Sequence, residues 1–173
     1  NLPGGKVFDK VIIAPDTDPC DTYPWSQEIR FTGPPFTGVF DGKDHIVSHM
    51  TIKGESYLGL FGSLEWQAEV KNLGVVDVNI LSSGSYVGGL AGSGGTVTSC
   101  YSTGTLTGRD YVGGLVGFGG ILTCCHSTCT VSGGGSVGGL VGGGYCGIVQ
   151  CYSTGRVSGT WGVGGLVGYN EES

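Results

Sequence analysis

The chain has 173 residues, 37 of them glycine, with 39% hydrophobic and 13% charged residues and a formal net charge of -6. That length suits one domain with a continuous core, the sparse charge excludes a disordered polyampholyte, and the lack of a Gly-X-Y period excludes collagen. Eight scattered Lys and Arg residues give no basic stripe for a phosphate backbone, so nucleic acid is not an expected partner. No apolar run approaches the roughly 18 residues of a spanning helix.

In chain order, the sequence opens Asn1-Leu-Pro3 without Met, as expected of a processed secreted protein or an excised fragment. Residues 1 to 35 carry the prolines and no repeat, and read as an irregular N-terminal cap that covers the strand edges of a first coil. Residues 36 to 173 then form the repeat region, in one domain overall. Phe36 to Gly42 and His45 to Ile52 read as earlier, diverged coils, with Val39, Ile46 and Ile52 as core candidates, and Asn72 to Ile80 belongs to a first, longer unit.

From there the period is explicit. Gly-Leu pairs at Gly59-Leu60, Gly89-Leu90, Gly114-Leu115, Gly139-Leu140 and Gly165-Leu166 are spaced by 30, 25, 25 and 26 residues. A second block follows at constant offset: Ser99-Cys-Tyr-Ser-Thr-Gly104, Cys124-Cys-His-Ser-Thr-Cys129 and Gln150-Cys-Tyr-Ser-Thr-Gly155. A third comprises Thr105-Leu-Thr-Gly108, Thr130-Val-Ser-Gly133 and Arg156-Val-Ser-Gly159. The segments are short, rich in Val and Thr, bounded by glycine and without helical period, so each repeat holds three strands. One such unit cannot bury its own apolar residues. Stacking equivalent strands about 4.8 Å apart places Leu on Leu and Val on Val. The expected fold is all-β, a small β-solenoid resembling a parallel β-helix, with coils of about 25 residues, glycine at the corners, and five to six coils in a rod of roughly 25 to 30 Å. Val163 to Asn170 starts another unit with no evident cap after it, which suggests either a longer array or head-to-tail docking into filaments.

Gly-Gly-Leu-Val-Gly, Cys-Tyr-Ser-Thr-Gly and Val-Ser-Gly together resemble the GLUG-motif repeats of bacterial surface and secreted proteins, over roughly Tyr57 to Asn170. The resemblance implies an adhesin-like, extracellular or cell-surface β-solenoid module and does not imply peptidase activity, which in those proteins resides in other domains. Ser63 to Ser85 makes the first unit longer than the pattern, and Cys129 stands where glycine is expected.

If Cys100, Cys125 and Cys151 point inward, alternation turns Tyr101, His126 and Tyr152 outward, followed by Thr103, Thr128 and Thr154, and then by Thr105, Thr130 and Arg156. Tyr101, Thr103, Thr105, His126, Thr128, Thr130, Tyr152 and Thr154 are therefore the candidates for a ligand face. Aromatic rings there would stack on sugars while hydroxyls bond to them; an ordinary solvent-facing surface is the plainer alternative. The same alternation, with the Leu column inward, turns Phe61, Ala91, Val116, Val141 and Val167 outward as an apolar ladder, unless a corner tucks them inside. Val116, Val141, Val167, Leu166 and Tyr169 are the self-association candidates.

Seven cysteines in a secreted chain suggest disulfides. Cys124, Cys129 and Cys146, outside the stacked column, are the pairing candidates, with the column thiols serving either as small apolar residues or as bridges. A zinc site lacks a paired C-x-x-C. Asp16, Asp18 and Asp21 match no EF-hand, and solvated turn carboxylates are the favoured reading. No metal or cofactor is expected. Asp110 is the one acid in the three complete repeats, so stacking builds no catalytic pair. The chemistry points to a non-enzymatic structural or adhesive module with itself or surface glycans as partner. A glycan-binding module is the alternative, followed by an ice-binding solenoid, whose threonine rows Arg156 would interrupt, and a polysaccharide-active β-helix.

Overall fold

A computed structural model describes residues 7–8, 12–17 and 30–171. Every element among them is a strand, and every pairing is parallel. The strands stack as a β-solenoid of about five turns. Val116 pairs with Ala91 on one side and Val141 on the other, and Val141 with Val167, so one coil consumes 25 or 26 residues.

One coil shows how the sequence makes the shape. Asp110–Gly113 runs into a bend at Gly114-Leu115, followed by Val116–Thr123, a corner at Cys124, then His126–Ser127 and Thr130–Ser132, before Gly133-Gly134 leads to the next coil. The first strand of each repeat joins a four-stranded sheet of Val87–Gly88, Asp110–Gly113, Gly135–Gly138 and Trp161–Gly164. The remaining strands wrap the other sides as one fourteen-stranded sheet.

The core is a set of residue columns along the axis. Val87, Val112 and Val137 form one, Leu90, Leu115 and Leu140 a second, and Ile80, Leu106 and Val131 a third; all nine are fully buried. Each such side chain contributes roughly 1.5 to 3 kcal/mol by leaving water. A polar column runs among them: Ser102 and Ser127 are also fully buried, and the Ser102 hydroxyl donates to the Gly114 carbonyl at 2.7 Å. This satisfies the inward Ser102 of the first Cys-Tyr-Ser-Thr-Gly block, whereas the buried Ser153 Oγ of the last block has no partner among the described residues.

Only some of the corners are the glycine-built turns expected. Asn72, Ser99, Cys124 and Gln150 carry one corner with φ of 52°, 51°, 55° and 53°, and Tyr57, Tyr86 and Tyr111 another with φ of 54°, 64° and 53°. Left-handed residues that are not glycine stack in register there, and the strand bonds around them fix their conformation. Glycine takes a third corner, where Gly94, Gly119 and Gly144 have φ of 76°, 67° and 98°, and elsewhere serves close approach. At Gly113 and Gly138 a Cβ would fall on the carbonyl oxygens of Val116 and Val141, three residues on.

That tight bend corrects one expectation. Val116 and Val141 have no exposed surface, and Phe61 and Ala91 are equally buried, so the apolar ladder faces the core together with the Leu column. At the bend Leu115 and Val116 both donate their N–H to the Leu140 carbonyl, at 2.9 and 3.1 Å. Two consecutive amides aimed at one acceptor break the alternation on which the outward reading depended. A second correction concerns Val39 and Ile46, which are 62% and 53% exposed. The strand Val39–Ser48 pairs Phe40 with Val70 and Val47 with Val75, so Phe40 and Val47 pack on the core. A one-residue difference in register exchanges the two faces. Ile52 is fully buried, as expected.

The described parts of residues 1 to 35 lie along the first coil. Val7–Phe8 pairs with Thr51 and Ile52, and Ile13 bridges Phe61, receiving the Gly62 N–H at 2.9 Å. Asp16 accepts from the backbone and hydroxyl of Thr32 at 2.9 and 2.8 Å. Asp18, Cys20 and Asp21 lie outside the described residues.

Candidate functional site

The Cys-Tyr-Ser-Thr blocks bring the outward residues into one face. Tyr101, His126 and Tyr152 are register partners, with ring centroids 5.0 and 4.9 Å apart and planes within 2° and 4° of parallel. The stack continues past Tyr101 over Gly74, where a Cβ would strike the Tyr101 ring and the side chain of Ile46. Beside it run hydroxyl rows. Thr105, Thr128, Thr130 and Thr154 are exposed, with Thr130 paired to Thr105. Thr103 is half-buried, and its hydroxyl accepts the Asp77 N–H at 2.9 Å. Arg156 ends the Thr105–Thr130 row and is exposed.

The ring orientation limits what this face does. Both faces of His126 are covered by its tyrosine neighbours, and Tyr101 is covered by His126 on one side. A sugar cannot stack where another ring already lies. The ladder holds neighbouring coils together, each contact being worth about 0.5 to 1.5 kcal/mol beyond area burial. What remains for a partner is ring edges, hydroxyls and the outer face of Tyr152, a residue 54% exposed.

A second ladder escaped the sequence reading. Tyr57, Tyr86 and Tyr111 stack with centroids 4.5 and 5.1 Å apart, and Phe118 meets both Tyr86 and Tyr111 edge-on. Its signal was the Tyr that heads Tyr-Val-Gly-Gly-Leu in two successive repeats. Burial pushes the phenols of Tyr57 and Tyr111 up from their ordinary range.

Of the remaining self-association candidates, Leu166 and Val167 are half-buried and Tyr169 is exposed, all in the last described coil. The cysteines require a correction. Cys124, Cys129 and Cys146 are free, as are Cys100, Cys125 and Cys151. Cys124 faces outward and its thiol donates to Gln150 Oε1 at 3.2 Å, whereas Cys129 is buried in the core against the Gly114 carbonyl. Cys146, paired with Gly120, donates to Asn170 Oδ1 at 3.1 Å. Opposite orientations and different columns keep these three apart.

Cys100, Cys125 and Cys151 form the inward column as expected. Burial pushes the Cys100 thiol up to about 11 and the Cys125 thiol up to about 12, from an ordinary 9.0. A folded-state pKa raised above the unfolded one favours folding below the unfolded value and loses that contribution as pH climbs through the folded value. Stability is therefore expected to fall between about pH 9 and pH 12. Urea unfolding under reducing conditions checks it: Cys125→Ala should flatten the decline, and an unchanged decline would remove the thiol column as its cause.

Acidic and histidine groups do not converge. Asp41 Oδ1 accepts from the Lys43 amide and Asn72 Nδ2, both at 3.0 Å, which holds its carboxyl below the ordinary range. His49 lies 3.5 Å from Asp77, and Asp110 lies 3.5 Å from Arg109. Among the described residues no three His, Cys, Asp or Glu side chains gather as metal ligands, and no helix is long and apolar enough to cross a membrane.

No protein-family model matches the chain. It is 37% identical over 76 residues to Halomucin of Haloquadratum walsbyi (strain DSM 16790 / HBSQ001), a match covering 42% of this chain and 1% of that protein. Its fold matches the crystal structure of a putative immunoglobulin A1 protease from Bacteroides ovatus with a TM-score of 0.68 and 25% identity, over 78% of this chain and 47% of that one. The chain thus spans less than half of either relative.

Proposed function

We propose that this chain is a non-enzymatic extracellular module, a short rigid β-solenoid with a structural and adhesive role. The observation that carries the reading is the set of exposed threonines, Thr105, Thr128, Thr130 and Thr154, held in rows on a backbone whose register fixes their spacing. Hydroxyls at about 4.8 Å intervals along the axis can engage a flat surface, or the same face of another copy, through many weak contacts at little ordering cost. Likeness to proteins named as a halomucin and an immunoglobulin A1 protease supports a setting outside the cell, as does the GLUG-like motif. Self-association, lateral through these rows or head to tail through strand edges, is the form of the role we favour. Glycan binding narrows to the hydroxyl rows and the outer face of Tyr152.

Light scattering across a wide concentration range, with negative-stain imaging, tests this reading. We expect concentration-dependent assemblies that the double substitution Thr128→Lys, Thr130→Lys suppresses, with stability changed by no more than about 0.5 kcal/mol. Strictly monomeric protein throughout would remove self-association. Retention on a glycan array, lost in Tyr152→Ala, would then favour the glycan reading.

A further inference from the structure

We propose that Cys125 and Cys151 are a redox site that closes into a disulfide between neighbouring coils. The register Tyr101, His126, Tyr152 places the preceding residues Cys100, Cys125 and Cys151 in one inward column. In that order, each thiol lies between a carbonyl of its own coil (Thr98 at 3.3 Å, Thr123 at 3.3 Å, Val149 at 3.2 Å) and one of the preceding coil (Val70 at 3.6 Å, Val97 at 3.4 Å, Leu122 at 3.5 Å). All three therefore lean the same way, and closure needs Cys125 to turn its Sγ about χ1 toward Cys151. Cys151 Sγ thereby reaches the Cys125 residue itself, whose N–H donates to it at 3.3 Å. Neighbouring strands lie about 4.8 Å apart, within the Cα separation of about 4.4 to 6.8 Å that a disulfide bridges.

The described cysteines outside this column have no such neighbour. Cys124 is paired with Gln150, Cys129 stacks beside Gly155, and Cys146 lies beside Gly120. Within the column, Cys100 and Cys125 are each 1% exposed and Cys151 is half-buried, so an oxidant reaches Cys151 first. With a small disulfide such as oxidised glutathione, the Cys151 thiolate attacks one sulfur and expels the first glutathione as a thiol. The Cys125 thiolate then attacks Cys151 Sγ and expels the second. Two protein thiols are oxidised, one glutathione disulfide is reduced, and the two protons end on the glutathione thiols. The step does not depend on the functional reading above. It would fasten covalently two coils that backbone hydrogen bonds and side-chain stacking now join.

The test treats the folded chain with oxidised glutathione, blocks remaining thiols with N-ethylmaleimide, and maps non-reduced peptides by mass. We expect a Cys125–Cys151 linked peptide about 2 Da lighter than its two reduced parts. Its formation should speed up with pH, because the attacking species is the thiolate. Cys146→Ser should retain the link, and Cys151→Ser should lose it. A stable glutathione adduct on Cys151 without the link, a link to Cys100 or to a cysteine outside the column, or unreacted thiols would each overturn the assignment. The wild-type map decides this without reference to how any variant folds.

Discussion

Gly138→Ala is expected to lower the unfolding midpoint by roughly 10 °C, and Gly147→Ala to leave it nearly unchanged. At Gly138 the added Cβ would fall on the Val141 carbonyl oxygen and crowd the Gly168 amide 2.7 Å away, so backbone from two coils would have to move. A displacement of that kind belongs among the severe substitutions, at about 4 kcal/mol, and a domain of this size shifts by about 2 to 4 °C per kcal/mol. At Gly147 the nearest atoms are Ile121 side-chain carbons at 3.8 Å, which is ordinary contact. Thermal unfolding followed by circular dichroism reads both. Equal effects at the two positions would mean that close approach of coils at the bend is not what glycine provides.

The second large effect is expected in the core. Leu115→Ala removes a fully buried side chain from the middle of its column and should cost about 2 to 5 kcal/mol through lost transfer energy and the cavity left behind. Val116→Ala should also destabilise, by about 1 to 3 kcal/mol, because Val116 is equally buried. Val149→Ala, at an exposed residue of similar size, should stay within about 0.5 kcal/mol. Denaturant titration separates the three. A neutral Val116→Ala would restore the outward apolar ladder that alternation alone predicts.

These substitutions also mark where the sequence was informative. The Gly-Leu period fixed coil length and parallel stacking, because residues that recur every 25 or 26 positions can share a core only as columns. The Cys-Tyr-Ser-Thr block was readable for the same reason: alternation holds through His126–Ser127, and Cys125, His126 and Ser127 point in, out and in. It failed where the backbone departs from a regular strand. At Gly114-Leu115 two consecutive amides share one acceptor, so Leu115 and Val116 both turn inward. In Val39–Ser48 the register shifts between Asp41 and His45, and nothing in the residues themselves says which of Val39 or Phe40 faces the core. The ring geometry of the candidate ligand face was not legible for a different reason. Columns of tyrosine and histidine were visible in the sequence, but the ring planes were not, and parallel rings at about 5 Å spend their faces on one another.

The central claim is that successive repeats stack in parallel register, with His126 held between Tyr101 and Tyr152. Nuclear Overhauser contacts in protein with the His126 ring selectively labelled test it most directly. The account predicts cross-peaks from the His126 ring protons to the rings of both Tyr101 and Tyr152, residues 25 and 26 positions away in sequence. Cross-peaks from His126 confined to its sequence neighbours, or to tyrosines of the Tyr57, Tyr86 and Tyr111 column, would contradict it.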